Sequence, residues 1–82
     1  MTAPIRLPEI GAGQAVLSVS CWLVDTGELV DRGDWVVELV TASSTFDVPA
    51  PVAGRLARID KPLDTDVAVG DILGWIEPEP EP

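Results

Sequence analysis

Val30-Asp31-Arg32-Gly33-Asp34-Trp35-Val36-Val37-Glu38-Leu39-Val40 joins a turn to a strand. Acids around a glycine are turn chemistry: Asp side chains bond nearby backbone, and glycine adopts conformations closed to other residues. The apolar run that follows, Trp35 to Val40, is rich in β-branched side chains that suit a pleated, half-buried surface. Trp35 and Val37 alternate with Val36 along it, so one of the two sets is expected to face the core. The same arrangement returns 37 positions later as Val67-x-x-Gly70-Asp71 and the run Ile72 to Ile76, with Trp22 matching Ile59 and Leu39 matching Ile76. Each half reads apolar strand, acidic turn, Val-x-x-Gly-Asp, apolar strand. Neither half can bury its apolar face alone, and pairing the two about a pseudo-twofold axis gives both a core.

Outward from this repeat the segments are short and punctuated. Ile5 to Leu7 is a first strand ended by Pro8, and Ile10-Gly11-Ala12-Gly13 is a loop. From Val16 to Val24 apolar and small residues alternate, Leu17, Val19 and Cys21 against Val16, Ser18 and Ser20, which is a strand signal. Asp25-Thr26-Gly27-Glu28 is a turn. Thr41-Ala42-Ser43-Ser44 fits a hairpin tip, with Thr45 to Val48 returning until Pro49-Ala50-Pro51, whose prolines cannot donate to a ladder. Gly54 to Ile59 and Ile72 to Ile76 complete the strands. No window holds a capped 3.6-residue apolar stripe, so no helix is expected.

The 82 residues suffice for one small domain, with 46% hydrophobic and 23% charged side chains. A net charge of −9 repels phosphate backbones and anionic lipid, so neither nucleic acid nor a membrane surface is an expected partner. The chain has no histidine and one cysteine, which removes any intrachain disulfide and leaves no support for a zinc site or a catalytic triad. Cys21, between apolar neighbours, is expected to be a buried structural thiol. Trp22 and Trp35 lie inside strand patterns and are expected in the core, whereas Trp75, beside Ile76, is the one expected to face outward. Asp31/Asp34 and Asp64/Asp66 are read as turn acids rather than a cation site. Thr41, Ser43, Ser44 and Thr45 carry no flanking signal for phosphorylation. There is no apolar leader and no run long enough to span a membrane, so a cytoplasmic setting is expected. The domain is expected over residues 1–77, and the Glu-Pro repeats of 78–82 as a disordered acidic, proline-rich tail.

Several segments in order resemble the lipoyl domain of the acyltransferase component of 2-oxo acid dehydrogenase complexes, in the biotinyl/lipoyl carrier superfamily. Leu7-Pro8-Glu9-Ile10-Gly11-Ala12-Gly13 resembles that family's opening Pro-x-Ile-Gly-Glu-Gly, with Ala12 where the acid usually stands. Trp22-Leu23-Val24 followed by Gly27-Glu28-x-Val30 resembles its Trp-Leu-Val and Gly-Asp-x-Val. Gly33-Asp34, Glu38, Val67-x-Val69-Gly70 and Ile76-Glu77 also fit. Val48-Pro49-Ala50-Pro51-Val52-Ala53-Gly54 resembles the stretch after the modified hairpin and is the most specific segment. The resemblance implies an all-β fold: a flattened β-barrel or sandwich of two small antiparallel sheets with seven or eight short strands.

The departure falls where the family carries its cofactor. After Glu38 the family reads acid, Thr, Asp, Lys; here Val40, Thr41, Ala42 and Ser43 stand in that order. Lysine is required because its long stem bears the amine that a ligase acylates. The chain's single lysine, Lys61, falls in a loop before Pro62 and reads as a solvated loop residue. The resemblance therefore implies a domain of the biotinyl/lipoyl attachment type without lipoate or biotin, with Ser43 at the attachment position flanked by Thr41, Ala42 and Ser44. No catalytic or metal site is expected. The function expected is a non-catalytic docking or structural module with a protein partner of the 2-oxo acid dehydrogenase type; the alternative is an acyl-carrying lipoyl domain of an acyltransferase.

Overall fold

The computed structural model describes residues 1–13 and 15–79. Eight strands occur in the order β1 (Ala3–Arg6), β2 (Leu17–Trp22), β3 (Leu29–Val30), β4 (Trp35–Val40), β5 (Thr45–Pro49), β6 (Gly54–Ile59), β7 (Asp66–Val67) and β8 (Ile72–Pro78). They form two four-stranded antiparallel sheets, β1-β8-β6-β3 and β5-β4-β2-β7. This is the flattened all-β sandwich that the repeat and the resemblance led one to expect. There is no helix among the described residues.

The repeat is structural. A shift of 37 positions carries β2 onto β6, β3 onto β7 and β4 onto β8. It also carries the turns onto each other bond for bond. The Asp31 amide donates to Asp34 Oδ2 at 2.8 Å, and the Ala68 amide donates to Asp71 Oδ2 at 2.9 Å. Gly33 and Gly70 both sit at φ +92°, a left-handed conformation that side chains with a Cβ rarely adopt. The Gly33 amide donates to Ala50 O at 2.9 Å and the Gly70 amide to Leu7 O at 2.8 Å. The turn acids Asp34 and Asp71 therefore stabilise backbone, as expected of Asp in turns.

The core lies between the sheets and is wholly aliphatic. Its buried side chains come largely in repeat-related pairs: Val19 with Leu56, Val30 with Val67, Val36 with Leu73, and Leu39 with Ile76. No polar or charged side chain is buried among the described residues.

Two expectations are corrected, both by β-bulges. In β2 the register against β4 slips between Val19 and Cys21. One extra residue reverses the inside-outside phase beyond it, so Cys21 is exposed rather than a buried structural thiol. A second slip, between Trp35 and Val37 against β5, lets Val36 and Val37 both bury completely and leaves Trp35 56% exposed rather than in the core. The expected alternation of Trp35 and Val37 against Val36 fails for that reason. Trp22 does pack against the core, with its indole Nε1 donating to Lys61 O at 2.8 Å. Strand ends shift by a residue or two: β1 starts at Ala3, β2 spans Leu17–Trp22, and β8 continues to Pro78, which pairs with Gly54. Residues 80–82, the rest of the expected tail, lie outside the described residues.

Leu39→Ala and Ile76→Ala, each at a fully buried site, should cost about 2–5 kcal/mol in chemical unfolding, while Ser43→Ala at the exposed tip should stay within about 0.5 kcal/mol. Native protein should react with one equivalent of a thiol reagent at Cys21 without denaturant; protection until unfolding would contradict the bulge in β2.

Candidate functional site

The β4–β5 hairpin gives the molecule its most sharply presented side chains. β4 lies between β2 and β5, and at this end of the sheet Ser18, Val40 and Thr45 pair across the three strands. Beyond Val40 the chain reverses through Thr41-Ala42-Ser43-Ser44. The Thr41 amide donates to Ser44 O at 2.9 Å. Thr41 Oγ1 accepts from the Ser43 amide at 3.2 Å and from the Ser44 amide at 3.0 Å. The threonine hydroxyl thus folds the turn by the local side-chain-to-backbone bonding that Ser and Thr favour. Thr41 is half-buried, and Ala42, Ser43 and Ser44 are exposed.

No titratable side chain occurs from Leu39 to Phe46. Nothing in that stretch can take a proton from Ser43 or Ser44, so the tip holds hydroxyls in place without a neighbouring base in sequence to activate them. It offers no amine either, which is what covalent attachment of lipoate or biotin requires. The residues at the tip do not fit that group.

The other candidates are dispersed. Asp64 takes φ +65° in the turn before β7, at the place that Gly27 occupies with φ +88° in the first half. Asp66 opens β7. No group of three or more His, Cys, Asp or Glu able to hold a metal ion occurs among the described residues. No helix of the described residues is long and apolar enough to cross a membrane. Lys61 lies in the β6–β7 loop, half-buried rather than freely solvated, and remote in sequence from the hairpin. Trp75 points outward while Ile76 is fully buried, as expected.

One cluster escaped the sequence. Arg58 Nε donates to Asp60 Oδ1 at 2.6 Å, Trp75 Nε1 donates to Asp60 Oδ2 at 2.8 Å, and the Arg58 guanidinium lies 5.6 Å from the centre of the Trp75 ring. The spacing of Arg58 and Asp60 hints at the ion pair; the register that brings Trp75 opposite Arg58 does not show in the sequence.

Comparison with known proteins places the whole sandwich. The biotin/lipoyl family, described as "Biotin-requiring enzyme", matches residues 3–76. The chain belongs to that family. It is 38% identical over 77 residues to the dihydrolipoyllysine-residue succinyltransferase component of the 2-oxoglutarate dehydrogenase complex of Bartonella vinsonii subsp. berkhoffii, covering 94% of this chain and 19% of that protein. It is 33% identical to the lipoamide acyltransferase component of the branched-chain alpha-keto acid dehydrogenase complex of Pseudomonas aeruginosa, covering 95% of this chain and 18% of the relative. The biotin/lipoyl domain thus spans about a fifth of the length of these relatives. Among solved structures, the lipoyl domain of the 2-oxoglutarate dehydrogenase complex of Azotobacter vinelandii superposes with a TM-score of 0.69 at 28% identity, covering 93% of this chain and 98% of that one. A single-chain, multi-domain long-chain acyl-CoA carboxylase shares the fold, with a TM-score of 0.75 at 20% identity over 98% of this chain and 7% of that one.

Thr41→Val keeps the side-chain volume and removes both bonds to the turn amides. It should cost about 0.5–1 kcal/mol and speed hydrogen exchange at the Ser43 and Ser44 amides, leaving exchange at Leu39 unchanged.

Proposed function

We propose that this domain takes neither lipoate nor biotin and serves as a non-catalytic docking or structural module related to 2-oxo acid dehydrogenase complexes. One observation carries the proposal: the hairpin tip, Thr41-Ala42-Ser43-Ser44, contains no amine. Carrier domains of this family hold their cofactor as an amide on a lysine, and the B. vinsonii relative bears the dihydrolipoyllysine residue in its very name. Ser43 takes the attachment position in this reading, with Thr41, Ala42 and Ser44 around it. A serine has a short arm and an unactivated hydroxyl, and an acyl group on it would be a labile ester. Lys61 is no substitute, because it belongs to the β6–β7 loop. The partner proposed is a protein of the 2-oxo acid dehydrogenase type, met by the intact scaffold rather than by a swinging arm.

Protein coexpressed with a lipoyl ligase and fed lipoate should keep its unmodified intact mass, and a lipoyl adduct on any residue would end the proposal. Ala42→Asp with Ser43→Lys should gain lipoate from a promiscuous ligase. Ser43→Lys alone should do so more slowly, since the amine is needed first and the acid second. Ser44→Lys should fail, because it moves the amine one residue along the turn, away from the position a ligase reads. A double variant that folds, by circular dichroism and dispersed amide resonances, yet never gains lipoate would show that Ser43 is not at the attachment position.

A further inference from the structure

The two sheets present opposite charge. The strands of β5-β4-β2-β7 carry Glu38, Asp47 and Asp66 and no Arg or Lys, whereas those of β1-β8-β6-β3 carry the exposed Arg6, Arg55 and Arg58 against one acid, Glu77. In a chain of net charge −9, three of the four arginines are thus gathered on one sheet. At its middle a bulge in β6 between Leu56 and Arg58 turns both Ala57 and Arg58 to solvent. Trp75 lies opposite Arg58 on β8, and Pro4 lies opposite Trp75 on β1. Thr2, Ala57, Arg58 and Trp75 line a groove of about 420 Å³. Asp60 fixes the Trp75 indole and the Arg58 guanidinium from one side, and these two bonds, Arg58 first, hold its carboxyl below the ordinary range.

An indole locked in place beside a guanidinium suits one kind of ligand in particular. Proline rings pack on aromatic faces, an extended proline-rich backbone is already ordered before it binds, and carboxylates pair with arginine. The chain itself contains such a segment after β8, Glu79-Pro80-Glu81-Pro82. We propose that the Trp75–Arg58 groove docks the Glu79-Pro80-Glu81-Pro82 run of a second copy of this chain. The described residues that lead into the run of the same copy, Glu77 to Glu79, head away from the groove. β8 is antiparallel to β6, so Trp75 lies at Arg58 while Pro78 lies at Gly54, and the Glu79 amide continues that way to Ala53 O at 3.3 Å.

The test uses the intact chain, isotope-labelled, with the synthetic hexapeptide Glu-Pro-Glu-Pro-Glu-Pro as probe. At low salt the peptide should shift the Trp75 indole and Arg58 resonances progressively, and 1 M salt should largely abolish the shift because the Debye length falls to about 3 Å. Trp75→Ala or Arg58→Glu should weaken peptide binding at least roughly tenfold; Arg58→Glu serves alone if Trp75→Ala does not fold. Trp35→Ala, which removes an exposed tryptophan on the other sheet, should bind as the parent does. Raising the concentration of the intact chain should reproduce the peptide's shifts, and Glu79→Lys with Glu81→Lys should remove them. A Trp75 resonance unmoved by millimolar peptide overturns the groove as the site. Peptide binding without any concentration dependence in the intact chain, or a dependence that survives the two glutamate reversals, overturns the second copy as its occupant.

Discussion

Each half of this molecule completes the other half's sheet. The two-residue strand β3, from the first half, pairs only with β6 of the second; β7, from the second, pairs only with β2 of the first. Backbone bonds beside these strands repeat the exchange. The Gly27 amide donates to Leu56 O at 2.7 Å and the Leu56 amide to Glu28 O at 3.1 Å; in the other half the Asp64 amide donates to Val19 O at 2.8 Å and the Val19 amide to Thr65 O at 3.0 Å. Two-residue strands have no stability apart from the sheet they join. Neither half can therefore lose its place without stripping an edge from its neighbour, and the two four-stranded sheets form and fail as one unit.

That exchange also explains which parts of the fold could be read from sequence. β4 is a six-residue run of strong apolar character and β6 is set off by the Pro49-Ala50-Pro51 break before it, and the ends expected for both, Trp35, Val40, Gly54 and Ile59, are those observed. β3 and β7 escape because two residues carry no periodicity; what identifies them is the Val of each Val-x-x-Gly-Asp, whose significance lies in the repeat. Cys21 and Trp35 were misplaced for a different reason. Period-two reasoning assumes an unbroken pleat, and a bulge adds one residue with no compositional mark of its own. The bulges themselves obey the repeat: the slip between Val19 and Cys21 in β2 recurs between Leu56 and Arg58 in β6. At the first of these sites the exposed residue is a thiol, at the second an arginine set against Trp75. One backbone device is thus spent on different surface chemistry in the two halves.

The hairpin was legible because its flanks are strong and its tip is short. Its chemistry was legible too, since the absence of an amine between Val40 and Thr45 needs no coordinates. What the structure adds is the division of labour inside the tip. The turn is held by backbone bonds and by Thr41 Oγ1, while the side chains of Ala42 and Ser43 make no hydrogen bond among the described residues. Thr41 is the side chain that shapes the turn.

This separation bears on how far the fold depends on the tip of the hairpin. Side chains at an exposed turn contribute little to stability, as most surface side chains do, so changes at Ala42 and Ser43 leave the core of Val19, Leu39, Leu56 and Ile76 untouched. Folding places little demand on the tip and more on its flanks: the Glu38 carboxylate accepts from Ser20 Oγ at 2.7 Å, and the Ala50 amide of the Val48 to Gly54 segment donates to Asp34 O at 2.8 Å. These tie the hairpin's base to β2 and to the first Gly-Asp turn, and through the exchanged strands to the second half. The base of the hairpin is thus bound to the interlocked sandwich while Ala42 and Ser43 make no side-chain hydrogen bond among the described residues, so what the tip presents can change while every contact that shapes the surface around it is kept.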